Sequence, residues 1–295
     1  NVVWEFEGTI TPLDPAKSIS FETKIDGFDK DWQATGSSKR EVTLPPGTQE
    51  YTFFVRTRVG EARDETPASR TFRISTSPYL GKIRISSFQA TGSSPFLVTL
   101  SATLQTTETA NISNWSIRGK TGQFTIGYGV EKYYPNQSSF TQPILVRQGY
   151  RVLISGAQSP FGRGGNFRAN LCFGYLKQYH NFPLSVPSSC PDKPTLKDVS
   201  WMNPRCQDFI LNRISFYDCR VPDLSGDIAI ATDPVCVSYI NENFNYGACF
   251  AKHQQDKDFL QSEWQVFADR AFGHSLHDTI ELLDQDNLFV DQIIY

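Results

Sequence analysis

Methionine occurs once in 295 residues, at Met202, and residue 1 is asparagine, so the chain reads as a mature, processed or excised piece. No apolar run reaches the roughly 18 residues of a membrane helix. No signal-like stretch precedes residue 30 either, so an export signal or anchor is expected outside this piece. Charge is scarce: Asp, Glu, Lys and Arg make up 20 % and the formal net charge is −3. That excludes charge-driven capture of nucleic acid or of an anionic membrane. Catalytic signatures are missing as well, with no Gly-x-Ser-x-Gly elbow and no His-Glu-x-x-His helix. None of the cysteines forms a Cys-x-x-Cys pair, which weakens zinc and redox readings. The expectation is a non-enzyme without cofactor or bound metal.

Aromatic residues are plentiful, 13 % of the chain with 22 Phe and 12 Tyr, and they sit in short segments where apolar and polar residues alternate. Alternation of period two belongs to half-buried strands, so the chain is expected to be mostly β. In SISFETKI, residues Ile19, Phe21, Thr23 and Ile25 share one face. YTFFVRTRV begins a second strand at Tyr51, after the turn Leu44-Pro45-Pro46-Gly47. Ser75-Thr76-Ser77-Pro78 is a polar, proline-ended break that divides the chain into 1–77 and 78–295. Beyond it come five strand-like pieces: KIRISSF, PFLVTLSATL, SNWSIRG, QFTIGYG and PILVRQGYRVLISG. After a change of character between Cys172 and about Ser262, strands return in EWQVFAD and in a closing hairpin turning at Asp284–Asn287.

Residues 26–58, with Gly27, Asp29, Trp32, the Leu44–Gly47 turn, Tyr51, Phe53 and Val55, resemble the Y_Y_Y domain, a fibronectin-type-III-like sandwich. The resemblance implies that Trp32 is the core aromatic between two sheets. The second part resembles the lamin-tail domain, an immunoglobulin-like sandwich. The residues that carry this likeness are Trp115, Leu145, Gly149, Val152, Ile154-Ser155-Gly156, Trp264, and the closing Ile280-Glu281-Leu282, Val290-Asp291 and Tyr295. It spans roughly 82–175 and 262–295, leaving a cysteine-rich insertion at about 172–262, and NFRANLCFGYL with SSCP looks like a variant recurring in secreted bacterial proteins. Together these likenesses imply two immunoglobulin/fibronectin-like β-sandwiches in tandem, the second interrupted by a disulfide-braced insertion containing short helices.

All six cysteines, Cys172, Cys190, Cys206, Cys219, Cys236 and Cys249, fall in that insertion, and an even count in a loop-rich secreted module reads as three disulfides. CQDFILNRISFYDC and CVSYINENFNYGAC have equal length and share an aromatic and Ile at the same offsets from their first cysteine. That pattern suits a short helical turn, and Asp233-Pro234 supplies an N-cap and first-turn proline for the second copy. The echo favours each copy closing on itself, 206–219 and 236–249, leaving 172–190; the competitor is a crossed arrangement linking the copies. Each small closed loop would stabilise the fold by roughly 3 kcal/mol.

Other candidates have plainer readings beside them. Gly119-Lys120-Thr121 invokes a phosphate loop, but Asn114 stands where that loop needs glycine and a strand follows instead of a helix. Trp115 and Ile117 are then core residues, and Gly119–Gly122 is a turn. Of the four histidines, His180, His253, His274 and His277, the last two are spaced for a metal only on a helix, and Gly273 argues for a loop. Asp26, Asp29 and Asp31 crowd one turn without the spacing of a calcium loop. Gly162-Arg163-Gly164-Gly165-Asn166-Phe167-Arg168 is basic and aromatic, a small patch for a polyanion or sugar or simply a turn. Asn111, Asn114 and Asn136 begin glycan-acceptor tripeptides.

The composite expectation is an extracellular or cell-surface binding or adhesion module. Its partner would be another protein or a surface glycan, with no nucleic acid and no membrane span in this piece. The alternatives are a self-associating subunit of an extracellular layer or filament and the accessory end of a larger secreted hydrolase.

Overall fold

The structure, a computed structural model, describes residues 2–9, 18–90, 95–120, 122–135, 140–269 and 278–294. Alternating burial along the chain produces a mostly β protein with several sheets and one helical segment. Two compact units emerge, one built from the residues up to Leu80 with Leu288–Val290, the other from Gly81–Asn287 and the residues from Asp291 on.

The first unit contains β1 (Val2–Glu5), β2 (Ser20–Asp26), β3 (Gln33–Thr35), β4 (Lys39–Val42), β5 (Glu50–Val59), β6 (Ala62–Arg63) and β7 (Ala68–Arg73). β1 pairs with β4, while β3, β2, β5, β6 and β7 form a second antiparallel sheet. Ile25, Tyr51 and Phe53 are buried between them, against Trp4, Val42, Leu44 and Phe72. The expectation for Trp32 is corrected here: Trp4, stacked on Phe53 at 4.6 Å, fills the core. Side chains alternate along β5, so Tyr51, Phe53 and Val55 face inward while Phe54 and Arg56 face the other way. Trp32 meets that outer face, edge-on to Phe54 and under the Arg56 guanidinium, 4.0 Å from the ring centroid.

The second unit contains β8 (Ile83–Gln89), β9 (Leu97–Ala102), β10 (Ala110–Asn111), β11 (Ser116–Gly119), β12 (Gly122–Thr125), β13 (Gly129–Val130), β14 (Leu145–Val146), β15 (Arg151–Ser155), β16 (Asn166–Asn170), β17 (Leu260–Phe267), β18 (Thr279–Leu283) and, from Asp291 on, β19 (Phe289–Ile294). Six of these form a sheet in the order β13-β16-β17-β15-β9-β8, and four form a sheet in the order β12-β11-β18-β19. Register makes the core: Leu100, Val152 and Trp264 align across three strands, as do Val98, Ile154 and Val266. All six are essentially inaccessible, as are Trp115, Ile117 and Leu282 of the other sheet or its approach. Gly129 must be glycine, because a Cβ there would meet Trp264 Cζ3 at 2.8 Å.

Between β16 and β17 the chain turns helical: a 3-10 helix (Leu171–Leu176), α1 (Leu196–Val199), α2 (Pro204–Asp208) running into a π-helical turn (Phe209–Arg213), α3 (Ile228–Ala231), α4 (Pro234–Asn243) and α5 (Tyr246–His253). This segment covers the second face of β16 and β17, so Trp264 and Val266 enter the sandwich while Phe167 and Phe267 join a cluster with Phe173, Val199, Ile210 and Ile240. Burial on both faces explains the unbroken run of buried residues from Trp264 to Phe267.

All six cysteines are paired, but not as the sequence echo suggested. The bonds are Cys172–Cys249, Cys190–Cys219 and Cys206–Cys236. Helix formation is the reason. Each copy opens with the same cap, Asn203-Pro204-Arg205-Cys206 and Asp233-Pro234-Val235-Cys236, in which the Asx side chain accepts the cysteine N–H. Cys236 therefore starts a ten-residue helix and Cys249 lies in the next one, so a loop that looks closable in sequence is stiffened into rods. The two helix starts meet instead: Cys206 bonds Cys236, and Asn203 Nδ2 donates to Asp233 Oδ2. The last cysteine of each copy reaches away, Cys219 to Cys190 and Cys249 to the 3-10 helix.

Candidate binding cleft

α1 is one turn long, and three devices hold it. Asp198 Oδ2 accepts from Thr195 N and Thr195 Oγ1 at 2.7 Å each, and Val199 is fully buried. Those two bonds to Thr195 hold the Asp198 carboxyl below its ordinary pKa. Trp201 follows immediately, between buried Val199 and buried Met202, with its own side chain 64 % exposed. Its Nε1 donates to the Asp198 carbonyl at 3.1 Å, and its ring stands edge-on to Tyr239 of α4 at 6.3 Å.

α4 turns Cys236 and Ile240 into the core, which leaves Val235, Ser238, Tyr239 and Glu242 on the opposite face. Ser238 Oγ donates to Glu242 Oε1 at 2.7 Å, one helical turn on. Burial, with Asp198 nearby, pushes the Tyr239 phenol up, so it remains a neutral hydroxyl. A shallow hollow of about 350 Å³ lies between Trp201 and this face. Tyr239 and Glu242 also line a larger cleft of about 840 Å³, whose lining includes Tyr175, Cys190 and Cys249. Two separate disulfides thus anchor the larger cleft.

One wall of that cleft is Pro191-Asp192-Lys193-Pro194, stiffened by a proline at each end. Asp192 fastens it: its Oδ2 lies 2.9 Å from His253 Nε2 and also pairs with Lys252 Nζ. Burial alone would raise the Asp192 carboxyl, but these two partners outweigh it and hold its pKa below the ordinary value. His253 Nδ1 lies 2.7 Å from Asp256 Oδ2, so the ring donates to both carboxylates only when doubly protonated. Both ring nitrogens thus face carboxylates that belong to or flank the cleft wall. On the cleft floor, burial and the Asp192 charge push the Tyr175 phenol up to about 12.

No family model and no curated protein matches the chain.

The residues singled out in the sequence are mostly absorbed into the fold. Gly119 and Gly122 pair at the tip of the β11–β12 hairpin, and the Lys120 N–H donates to Asp278 Oδ2 at 3.1 Å. Asp29 is taken up by Arg40 and by the Ile25 N–H. The Gly162–Arg168 patch does not assemble: Arg163 is exposed, but Arg168 is buried and bonded to Glu131 and Tyr150. His180 Nδ1 donates to the Pro160 carbonyl, 3.1 Å away. Asn111 and Asn114 are exposed, and Asn136, His274 and His277 lie outside the described residues. Among the described residues no cluster of three or more His, Cys, Asp or Glu side chains is arranged to hold a metal.

Sequence reasoning missed Trp201, Tyr239 and Asp192, and it gave His253 no partner. One signal existed for Trp201, a large aromatic beside the chain's lone methionine and just ahead of the Asn-Pro cap, but nothing local marks which of its faces is exposed. Asp192 and His253 are 61 residues apart, and only folding joins them.

Proposed function

We propose that the chain is a non-enzymatic extracellular or cell-surface binding module, a Y_Y_Y-like sandwich followed by a lamin-tail-like sandwich whose cysteine-bearing insertion presents the recognition surface to another protein or a surface glycan. Three disulfides with no free cysteine support an oxidising compartment, where such bonds persist. Among the described residues no helix is long and apolar enough to cross a membrane. The observation that carries the reading is the walled cleft of about 840 Å³ near an exposed, hydrogen-bonded tryptophan, on a segment cross-linked by three disulfides. A histidine with both nitrogens on carboxylates favours fixing a wall over proton transfer.

Two measurements test this. Intact mass before and after reduction is expected to rise by six hydrogens, two for each of the three bonds. The labelled chain, applied to immobilised extracellular proteins and glycans, is expected to bind saturably when oxidised and to lose that binding when reduced. Turnover of peptidase, esterase or glycosidase reporter substrates by the purified chain would overturn the reading.

A further inference from the structure

We infer that the outer face of α4, together with Trp201, is a binding site for a neutral saccharide. The inference rests on the insertion being a recognition region and narrows it to one ligand class.

Trp201 is the first reason. Trp115 and Trp264 are 1 % exposed and Trp4 and Trp32 are half-buried, whereas Trp201 is 64 % exposed. An exposed indole normally keeps rotational freedom and a wet N–H, but this one is fixed by its bond to the Asp198 carbonyl and by the Tyr239 ring. Its N–H is satisfied, so what it offers a ligand is a flat apolar face held in one orientation. A pyranose ring presents a complementary patch of C–H groups on one side and hydroxyls around its rim.

The polar groups beside that face supply the rim contacts. Tyr239 offers a neutral hydroxyl. Glu242 offers carboxylate oxygens, one of which already takes the Ser238 hydroxyl. In the larger cleft Asn243 donates its Nδ2 to the Tyr239 carbonyl, which leaves its Oδ1 as an acceptor. Sugar hydroxyls both donate and accept, which suits such a mixed set. The hollow by Trp201 and the larger cleft share Tyr239 and Glu242, so a ligand of more than one ring can run from one into the other.

Charge decides between neutral and acidic ligands. The cleft is lined by Asp192, Asp198 and Glu242 against Lys193 and Lys252, and Lys252 is already paired with Asp192. That leaves no surplus of cations for a sulfated, sialylated or phosphorylated group.

The test titrates the oxidised, full chain with neutral oligosaccharides of glucose, mannose, galactose and N-acetylglucosamine and with their acidic counterparts, following tryptophan emission and calorimetry. Saturable binding of at least one neutral oligosaccharide with a blue shift is expected, because Trp201 is the most solvent-exposed tryptophan. Trp201→Ala is expected to weaken binding at least about tenfold. Trp201→Phe is expected to retain part of it. Tyr217→Ala, which removes an aromatic 89 % exposed but outside the cleft lining, should bind as wild type. Thermal unfolding of each variant should match wild type. The inference is overturned if no neutral saccharide titrates, if only acidic ones do, or if Trp201→Ala binds undiminished. A chain that ignores every saccharide but binds an immobilised protein loses the saccharide site and keeps the module reading; one that binds neither loses both.

Discussion

The sandwich of the second unit and the helical segment inserted into it solve one problem by different means. In the sandwich, cross-strand rows such as Leu100–Val152–Trp264 bury large side chains in register, and each row supports the next. The helices are four to ten residues long, too short to persist alone in water. They are held by Asx caps, a cluster of aromatic rings and three disulfides that close 29 to 77 residues of chain. Stability is thus distributed in the first case and concentrated at a few bonds in the second. The cleft lies where the outer face of α4 meets the edge of that cluster, at Tyr175, Phe244 and Cys249.

The sharpest way to break this contrast is to remove its covalent part. Cys172→Ser with Cys249→Ser opens the longest loop and is expected to cost about 4–5 kcal/mol, against about 3–4 for Cys206→Ser with Cys236→Ser. Urea unfolding followed at 222 nm should show helix signal lost ahead of the sheet signal. A single undisturbed transition would mean that the two regions are not separately stabilised. In the sandwich, Trp264→Ala should cost about 3–5 kcal/mol and Gly129→Ala about 1–3, the second by pressing a methyl into the same ring. Both should lower the sheet transition and leave the disulfides formed, as thiol counting can verify.

Alkaline pH probes the cleft floor. The folded pKa of Tyr175, about 12, stands above the ordinary 10.0, so its stabilising contribution is complete below pH about 10 and disappears as pH climbs through about 12. That amounts to about 2–3 kcal/mol, and Tyr175→Phe should remove this part of the alkaline loss when tyrosinate absorbance and unfolding are followed together. The smallest effect is at a cap: Asp233→Ala leaves the Val235 and Cys236 N–H groups without their acceptor and should cost about 1 kcal/mol in thermal unfolding.

Strands were legible because their pattern has a period of two and each half of it has a destination. Val98 and Leu100, Val152 and Ile154 alternate with half-buried or exposed residues, and all four reach the core. The Asp233-Pro234 helix start was legible for a similar reason, since a cap acts within four residues. Trp32 shows where such reasoning stops. Its neighbours identify a sandwich turn, but only the pairing of β2 with β3 and β5 places it on the Arg56 face and leaves the core to Trp4. The cysteine echo failed similarly, because equal spacing says that two segments are alike and nothing about whether their ends converge. The cleft was hidden further still, with walls drawn from segments about 60 residues apart along the chain.

The amino-acid order by itself determined the β class, the strand positions, the confinement of the cysteines to one segment and the polar start of its longest helix. These depend on local periodicity and on hydrogen bonds reaching only a few residues. Tertiary structure alone decided which cysteines join, which tryptophan enters the core and which remains in water, and that Asp192 meets His253. Each of those is a matter of which distant surfaces come together, and that is set by burial summed over the whole chain rather than by any stretch of it.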